Sequence, residues 1–538
     1  MGRSLSTGTM LLRFVKWPLR RGHVTPWLAS HQGWWVFSAG SLVGLGLAAW
    51  LSYVVHLVPG DALSRSYSAT MVIHSRFPHL AAIGFIWPPL PALAQLPFVI
   101  PLEWASSGFS GGIVTALAGG ALLATLNALL RSSGLPGQWR LLLIVLFALN
   151  PMWLFYAGNG MSEMPFLLFF SLATYLFLRW RANGHWRDPM LAGFTTALMF
   201  GSRYDAIPYA AIFTAVMLGV FILARNGIQP AHAEAHLLVY LVPFVYSVFL
   251  WVYFNWLIMG DALYFLRSNY SNAYLTRNMA VAPQVIALRD SWPLTVRYLV
   301  LTMGLLSPLF VALLPLAVVQ AFRQRDAGLA GLVLLTLAAP MFQFAMYRNG
   351  QTFGFLRFYI SVQPGALLLA AYLLRRWRGR VQHTLLVFTT IALAVGLWTS
   401  FAAMQQSEDS GFVDALRNPS SVIDDYRSDR TVAETLRSRF NDEPVLVLAD
   451  SQAEEVVLFS KMPQHFILPS DPDFELALSE PSKYADYVLV GIRTESQRKY
   501  FALQEQHPDL YEHGGIGLVL DSQLGEFRLY RSVNRRSP

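Results

Sequence analysis

The sequence predicts a polytopic α-helical membrane protein of about eleven transmembrane helices, N-terminus inside and C-terminus outside, with a C-terminal soluble α/β domain. Three observations predict it. Of the 538 residues, 54% are hydrophobic and 13% charged, more apolar and less charged than soluble domains are. Apolar stretches of about 20 residues, enough to cross a bilayer, recur as far as Phe401. The charge also divides: from Gln405 onward there are 23 acidic and 14 basic residues, against nine acidic and 26 basic before it. A basic, apolar body thus precedes an acidic tail.

The elements follow in order. Residues 1–33 form a basic N-terminal segment, placed on the cytoplasmic side. Residues 34–404 hold the spans, expected near 34–58, 110–130, 140–157, 161–179, 189–203, 206–224, 237–259, 298–320, 328–346, 358–374 and 381–404. Arg203 and Asp205 divide the stretch 189–224, which reads as two short spans joined by a tight outer hairpin. With the N-terminus inside, 17 of the 26 basic residues before Gln405 face the cytoplasm, including Arg375, Arg376, Arg378 and Arg380; the opposite orientation would export that cluster against the positive-inside rule. The first apolar run, starting near Trp34, is too long for a signal-peptide core. Residues 405–538 form the extracytoplasmic domain, in which Val445–Leu448 and Tyr487–Val490 read as strands, and Gly517–Leu520 with Phe527–Tyr530 as a hairpin.

This orientation sorts the few acids. Six face outward: Asp61, Glu103, Glu163, Asp205, Asp261 and Asp290. They are accompanied by Arg65, Arg76, Arg203, Arg267, Arg277, Arg289, Arg297, Arg348 and Arg357. Arginines on the side that the positive-inside rule depletes suit an anionic substrate, or else local ion pairing. No basic run is interleaved with aromatics in a soluble segment, so the charge suits membrane lipids or phosphates and not nucleic acid. Cysteine is absent, which leaves carboxylates, histidines, arginines and hydroxyls to carry any chemistry.

The first outer loop, 59–108, opens with Gly60-Asp61-Ala62-Leu63-Ser64-Arg65 directly after the first span. It continues through His74, Arg76 and His79 to Trp87-Pro88-Pro89-Leu90-Pro91. It is too long for a connector and rich enough in Trp and Phe for helices lying in the membrane interface. Asp61 is either a functional carboxylate there or the cap of a surface helix.

At these residues the chain resembles GT-C glycosyltransferases of the protein O-mannosyltransferase and aminoarabinose transferase type. Those enzymes carry an acid just past the first span, a nearby Arg and a later Pro-Pro-Leu. Asn150-Pro151 followed by Gly160-Met161-Ser162-Glu163-Met164-Pro165 is similar to the family's acid opening a span, and Arg357-Phe358-Tyr359 with Pro364 to its Arg-Tyr and Pro pattern. Two departures stand out. No second carboxylate adjoins Asp61, and Trp87 replaces a basic residue or histidine.

The resemblance, covering about residues 34–400, implies a transferase that moves a sugar from a polyprenyl-phosphate donor to a lipid, glycan or protein acceptor on the outer face of the cell membrane. It puts the catalytic role on Asp61. Such chemistry needs a base near the acceptor hydroxyl and cations for the departing phosphate. Arg65, Arg203 and Arg357 are expected to bind substrate, with Tyr359 and His79 beside them. Glu163 either orients the acceptor or a water, or holds an arginine. No metal site is assigned: His74 and His79 are five apart, off the spacing that puts two ligands on one helical face. A divalent cation on Asp61 would fit the chemistry without being required by it.

Asp450, at a strand end, has no phosphate-binding glycine pattern beside it and receives no activity. Gly260-Asp261-Ala262-Leu263 repeats Gly60 to Leu63 and reads as a recurrent helix exit. The alternative function is a secondary transporter of an anionic or lipid-linked substrate, which should carry ionisable groups at mid-membrane, often in repeated halves with broken segments. A non-catalytic membrane scaffold is the third class.

Overall fold

The computed structural model describes residues 30–223, 230–268, 271, 274–276, 283–441, 443–491 and 501–533. Most of the basic N-terminal segment, with Arg225 and Arg277, lies outside them. Within the described residues the apolar stretches named above are largely helical. Among the described residues six helices are long and apolar enough to cross a membrane: His31–Val55, Phe109–Ser132, His232–Met259, Ala327–Asn349, Leu356–Arg376 and Gly379–Gln405; two bent pairs, each taken as one span, raise the number to eight. Glu163–Asn183, Arg187–Ser202 and Ala206–Leu223 complete the bundle. The last two are joined through Arg203–Asp205, the short connection expected of the hairpin.

Two stretches expected to be single spans are broken. Gly137–Ala148 and Pro151–Gly158 meet at 71°, and Trp292–Leu306 and Pro308–Gln324 at 116°. A proline at the first position of each second limb lacks the N–H that would continue the helix. Asn150 and Ser307 cap those limbs, accepting from Met152 N and Phe310 N. At the second break a released carbonyl is satisfied inside the bundle. Leu306 O accepts from Ser400 Oγ at 3.0 Å and from Gln363 Nε2 at 3.3 Å, and Gln363 also donates to Asn150 Oδ1 at 2.9 Å. Irregular backbone at membrane depth persists only where protein covers it in this way.

Small residues let three helices cross just below the site. A Cβ on Gly112 would stand 2.6 Å from Ala48 Cβ, and one on Gly158 2.9 Å from Ala48 N. His31–Trp50, Phe109–Ser132 and Pro151–Gly158 therefore touch backbone to backbone, and this close approach fixes where the chain emerges toward Glu163.

The loop 59–108 is mostly helical, in short pieces of which Gly60–His74 is the longest. Ser66 and Ser110 both donate to the buried Gln95 Oε1, at 2.9 and 3.0 Å, tying that helix to Phe109–Ser132. The loop's Ile86 carbonyl accepts from Tyr204 Oη at 2.8 Å, within the connection Arg203–Asp205.

The tail forms a five-stranded sheet of β1 (Val447–Ala449), β2 (Phe466–Ile467), β3 (Tyr487–Gly491), β4 (Leu518–Leu524) and β5 (Phe527–Ser532), in the order β2-β1-β3-β5-β4. The first three strands are parallel, and β5 and β4 add as an antiparallel hairpin. This is the α/β pattern expected from the two apolar strands and the turn.

The tail docks on the loop 59–108. Arg76 pairs with Asp471 at 3.5 Å and with Asp473, and Lys461 pairs with Glu103. Glu454 hydrogen-bonds Ser64, one residue from Arg65. Burial, helped by Glu455 and Asp450, pushes the Glu454 carboxyl up to about 8. A carboxyl raised in the folded state favours the fold below its unfolded pKa, and that support is lost as pH rises through the folded value. Stability should therefore fall by about 1–2 kcal/mol between pH 7 and pH 9. Glu454→Gln, which cannot ionise, should reduce that slope in thermal unfolding; an unchanged slope would mean the group is neutralised otherwise.

Candidate functional site

Five chain segments end together at one face of the bundle: the exit of the first span, the start of Glu163–Asn183, the end of Arg187–Ser202, the turn Leu356–Tyr359 and the end of Gly379–Gln405. Each contributes a charged side chain.

Asp61 is the second residue of its helix. Pro59 occupies the N-cap, and the Pro59 carbonyl accepts from Ala62 N and Leu63 N at 2.9 and 3.1 Å. The Asp61 carboxylate bonds no backbone N–H among the described residues, so capping does not use it. Its Oδ2 instead accepts from Arg357 Nη2 at 3.1 Å. The side chain keeps 35% of its surface exposed, enough for a substrate to reach it. Asp261, in the repeated Gly-Asp-Ala-Leu, behaves differently: its Oδ1 accepts from Leu263 N at 2.9 Å and from Arg267 at 3.3 Å. That is a local turn, not a second site.

Glu163 opens its helix, where the dipole favours a negative charge. Its side chain is 1% exposed and lies between two arginines: Oε1 is 2.6 Å from Arg203 Nη1 and 3.7 Å from Arg357 Nε. Arg203 also donates from Nε to Asp205 Oδ2 at 2.9 Å. Phe358 packs between the two guanidinium groups, 5.6 Å from that of Arg203 and 5.9 Å from that of Arg357. A chain of alternating charge results, Asp61–Arg357–Glu163–Arg203–Asp205. Glu163 Oε2 is buried and takes no partner in the described protein.

Arg65 is the cation left over. It is buried, donates from Nη1 to the Asp61 backbone carbonyl at 2.7 Å and stacks over Trp87 at 5.7 Å. Its Nε has no partner, and no carboxylate pairs with it among the described residues. Burial lowers its pKa despite the nearby Asp61 and Glu163. A buried guanidinium without an ion pair is costly, and an incoming anion would relieve that cost.

Two expected residues sit elsewhere. Tyr359 is fully buried beside Tyr347 and Tyr298, away from Asp61. His79 Nδ1 bonds the Phe77 carbonyl at 2.5 Å, on the partly exposed loop. Three other residues were not singled out in the sequence. Glu408 and Asp409, just past the last span, turn back toward Arg357. Tyr426 of the tail places its hydroxyl 3.0 Å from where a Cβ on Gly60 would stand, so Gly60 leaves room for the tail beside Asp61.

Asp450 is plugged: its Oδ2 accepts from Leu503 N at 2.8 Å and its Oδ1 from Ser451 N at 2.6 Å, closing the strand ends where an open α/β sheet would bind a ligand. Among the described residues no group of three or more His, Asp or Glu side chains is placed to hold a metal ion.

No sequence-family model matches the chain, and no curated protein sequence matches it. Solved structures do. ArnT from Cupriavidus metallidurans, in the apo state, aligns with TM-score 0.54 over 93% of this chain and 97% of that chain, at 12% identity. The archaeal oligosaccharyltransferase AglB from Archaeoglobus fulgidus, in complex with an inhibitory peptide and a dolichol-phosphate, aligns with TM-score 0.50 over 94% of this chain and 75% of that one, at 15% identity. Both are GT-C glycosyltransferases. The likeness runs through bundle and tail, and at these identities what it establishes is the fold.

Proposed function

We propose that this chain, which has the fold of GT-C glycosyltransferases, transfers a sugar from a polyprenyl-phosphate donor to an acceptor hydroxyl on the outer face of the cell membrane. The observation that carries the reading is the site itself: an accessible carboxylate, Asp61, clamped by Arg357 at 3.1 Å, with the buried and unpaired Arg65 one helical turn away. The polyprenyl chain stays in the bilayer and the sugar lies over the cluster. Asp61 takes the acceptor proton, and the acceptor oxygen bonds to the anomeric carbon as the bond from that carbon to the phosphate oxygen breaks. The phosphate leaves as an anion whose growing charge Arg65 neutralises, joined by the unengaged N–H groups of Arg203 and Arg357. The tail, docked over the first outer loop, covers the site and meets the acceptor.

The breaks at Asn150–Pro151 and Ser307–Pro308 are a feature the transporter reading expects, but among the described residues their hydrogen bonds run between neutral Asn150, Gln363, Ser400 and Ser307, with no carboxylate or histidine there to carry a proton. The neighbour captured with a dolichol-phosphate supports the lipid-linked donor by likeness of fold. The deciding experiment is incubation of purified protein with a panel of polyprenyl-phosphate sugars and analysis of which is consumed; consumption of none would remove the transferase reading.

In this reading eleven spans place the N-terminus inside and the tail outside. Reporters fused after Arg378 should read cytoplasmic and those after Phe401 extracytoplasmic. A cytoplasmic tail would overturn the outer-face assignment, because the tail and Asp61 share a face.

A further inference from the structure

The last helix, Gly379–Gln405, runs into the tail, and the first two acids beyond it turn back into the cluster. Glu408 Oε1 accepts from the Arg357 backbone N–H at 3.3 Å. The Leu356 N–H bonds the same carboxylate. These two groups open the 3₁₀ turn Leu356–Tyr359, whose N-cap, Phe355, offers no side-chain acceptor. The first N–H groups of a helical turn find no partner within it. Glu408, 51 residues along the chain, therefore caps the turn that aims Arg357.

Asp409 is 5% exposed, and the Tyr156 hydroxyl lies 3.0 and 2.9 Å from its two oxygens. Phe412 then stacks on Phe155 at 4.9 Å and meets Trp50 edge-on at 6.4 Å. The junction between bundle and tail is thus fixed to the broken helix Pro151–Gly158 on one side and to the Arg357 turn on the other.

We propose that Glu408 and Asp409 are positioning residues of the transfer site. Glu408 sets the backbone that presents the Arg357 guanidinium to Asp61 and Glu163, and Asp409 anchors Glu408 through Tyr156. The kinetic part of this inference rests on the transferase reading; the structural part does not.

The pair also carries a pH dependence with a defined sign. Burial pushes the Asp409 carboxyl up to about 8, with the charges of Glu408 and Glu163 adding to it and Tyr156 and Arg357 opposing. Near neutrality Asp409 is mostly protonated. As pH rises through about 8 it ionises beside Glu408, and the arrangement that holds the turn is lost.

The test has two arms. Hydrogen exchange should show the segment around Arg357 opening about 10-fold faster or more in Glu408→Ala, and returning toward the parental rate in Glu408→Gln, which keeps an acceptor oxygen. Single-turnover transfer should fall by about 10-fold or more in the alanine variant while donor affinity stays within about threefold, with the glutamine variant recovering most of the loss. Between pH 7 and pH 9 the rate should fall in the parental protein and stay level in Asp409→Asn. The proposal is overturned by unchanged exchange in Glu408→Ala, by a glutamine variant as impaired as alanine, or by an alkaline fall that persists in Asp409→Asn. A parental protein inactive with every donor would sink the transferase reading, while the exchange arm would still judge the positioning role.

Discussion

Asp61→Asn should fold, bind donor close to the parental affinity and lose about two orders of magnitude or more in transfer. The helix it opens is capped by the Pro59 carbonyl and does not draw on the carboxylate, so the exchange removes no backbone partner. Asparagine also keeps an oxygen that can face Arg357 Nη2, now 3.1 Å from Oδ2. What it loses is the ability to take a proton, and general-base catalysis contributes about 10²–10⁴-fold. Asp61→Glu should recover little, because about an ångström of misplacement can cost about 10²-fold. Single-turnover transfer and donor affinity, measured on the same folded variant, separate the outcomes. Transfer at the parental rate would remove Asp61 from catalysis and shift the role to Glu163, whose buried Oε2 is free. Lost donor binding would make Asp61 a substrate contact.

Much of this site was legible because charge is scarce in an apolar chain. With nine acids before Gln405, each one near a span end demanded an explanation, and Asp61, Glu163, Asp205, Arg65, Arg203 and Arg357 do converge. Tyr359 enters through the resemblance, as the Tyr of an Arg-Tyr and Pro pattern read onto Arg357-Phe358-Tyr359 and Pro364. In a 3₁₀ turn, however, residues advance about 120° each, so positions two apart point to different sides. His79 bonds the Phe77 carbonyl instead of a member of the cluster, and a residue on an irregular loop has no period from which such a direction can be read. Glu408 and Asp409 were invisible for the opposite reason to Asp61, since they begin a segment with 23 acids, where one more carries no signal. The prolines that break two helices were visible as residues. The angles of 71° and 116° were not, because neighbouring helices and the Asn150–Gln363–Ser400 hydrogen bonds decide them.

Arg65→Ala should weaken donor binding more than loss of either other arginine while leaving the fold intact. Arg203 and Arg357 each hold carboxylates, so removing one leaves Glu163, 1% exposed, or Asp61 short of a counter-charge. Those variants should lose stability and turnover together. Arg65 holds no carboxylate, and its Nε waits in a buried site for an acceptor. Loss of a charge-assisted hydrogen bond to phosphate should cost about 1.5–3 kcal/mol, a donor affinity weaker by about 10-fold to 150-fold. The same deletion removes a desolvated charge with no ion pair, so the thermal midpoint should stay level or rise. Arg65→Lys should recover part of the affinity, since it restores the charge and not the planar fork. Titration of a polyprenyl monophosphate reads the contact without turnover, because it carries the phosphate and lacks the sugar. Parental affinity for it in Arg65→Ala would exclude Arg65 as the phosphate contact. The role would then pass to Arg348, whose Nη1 is likewise buried without a partner and which stacks over Trp292 at 4.7 Å.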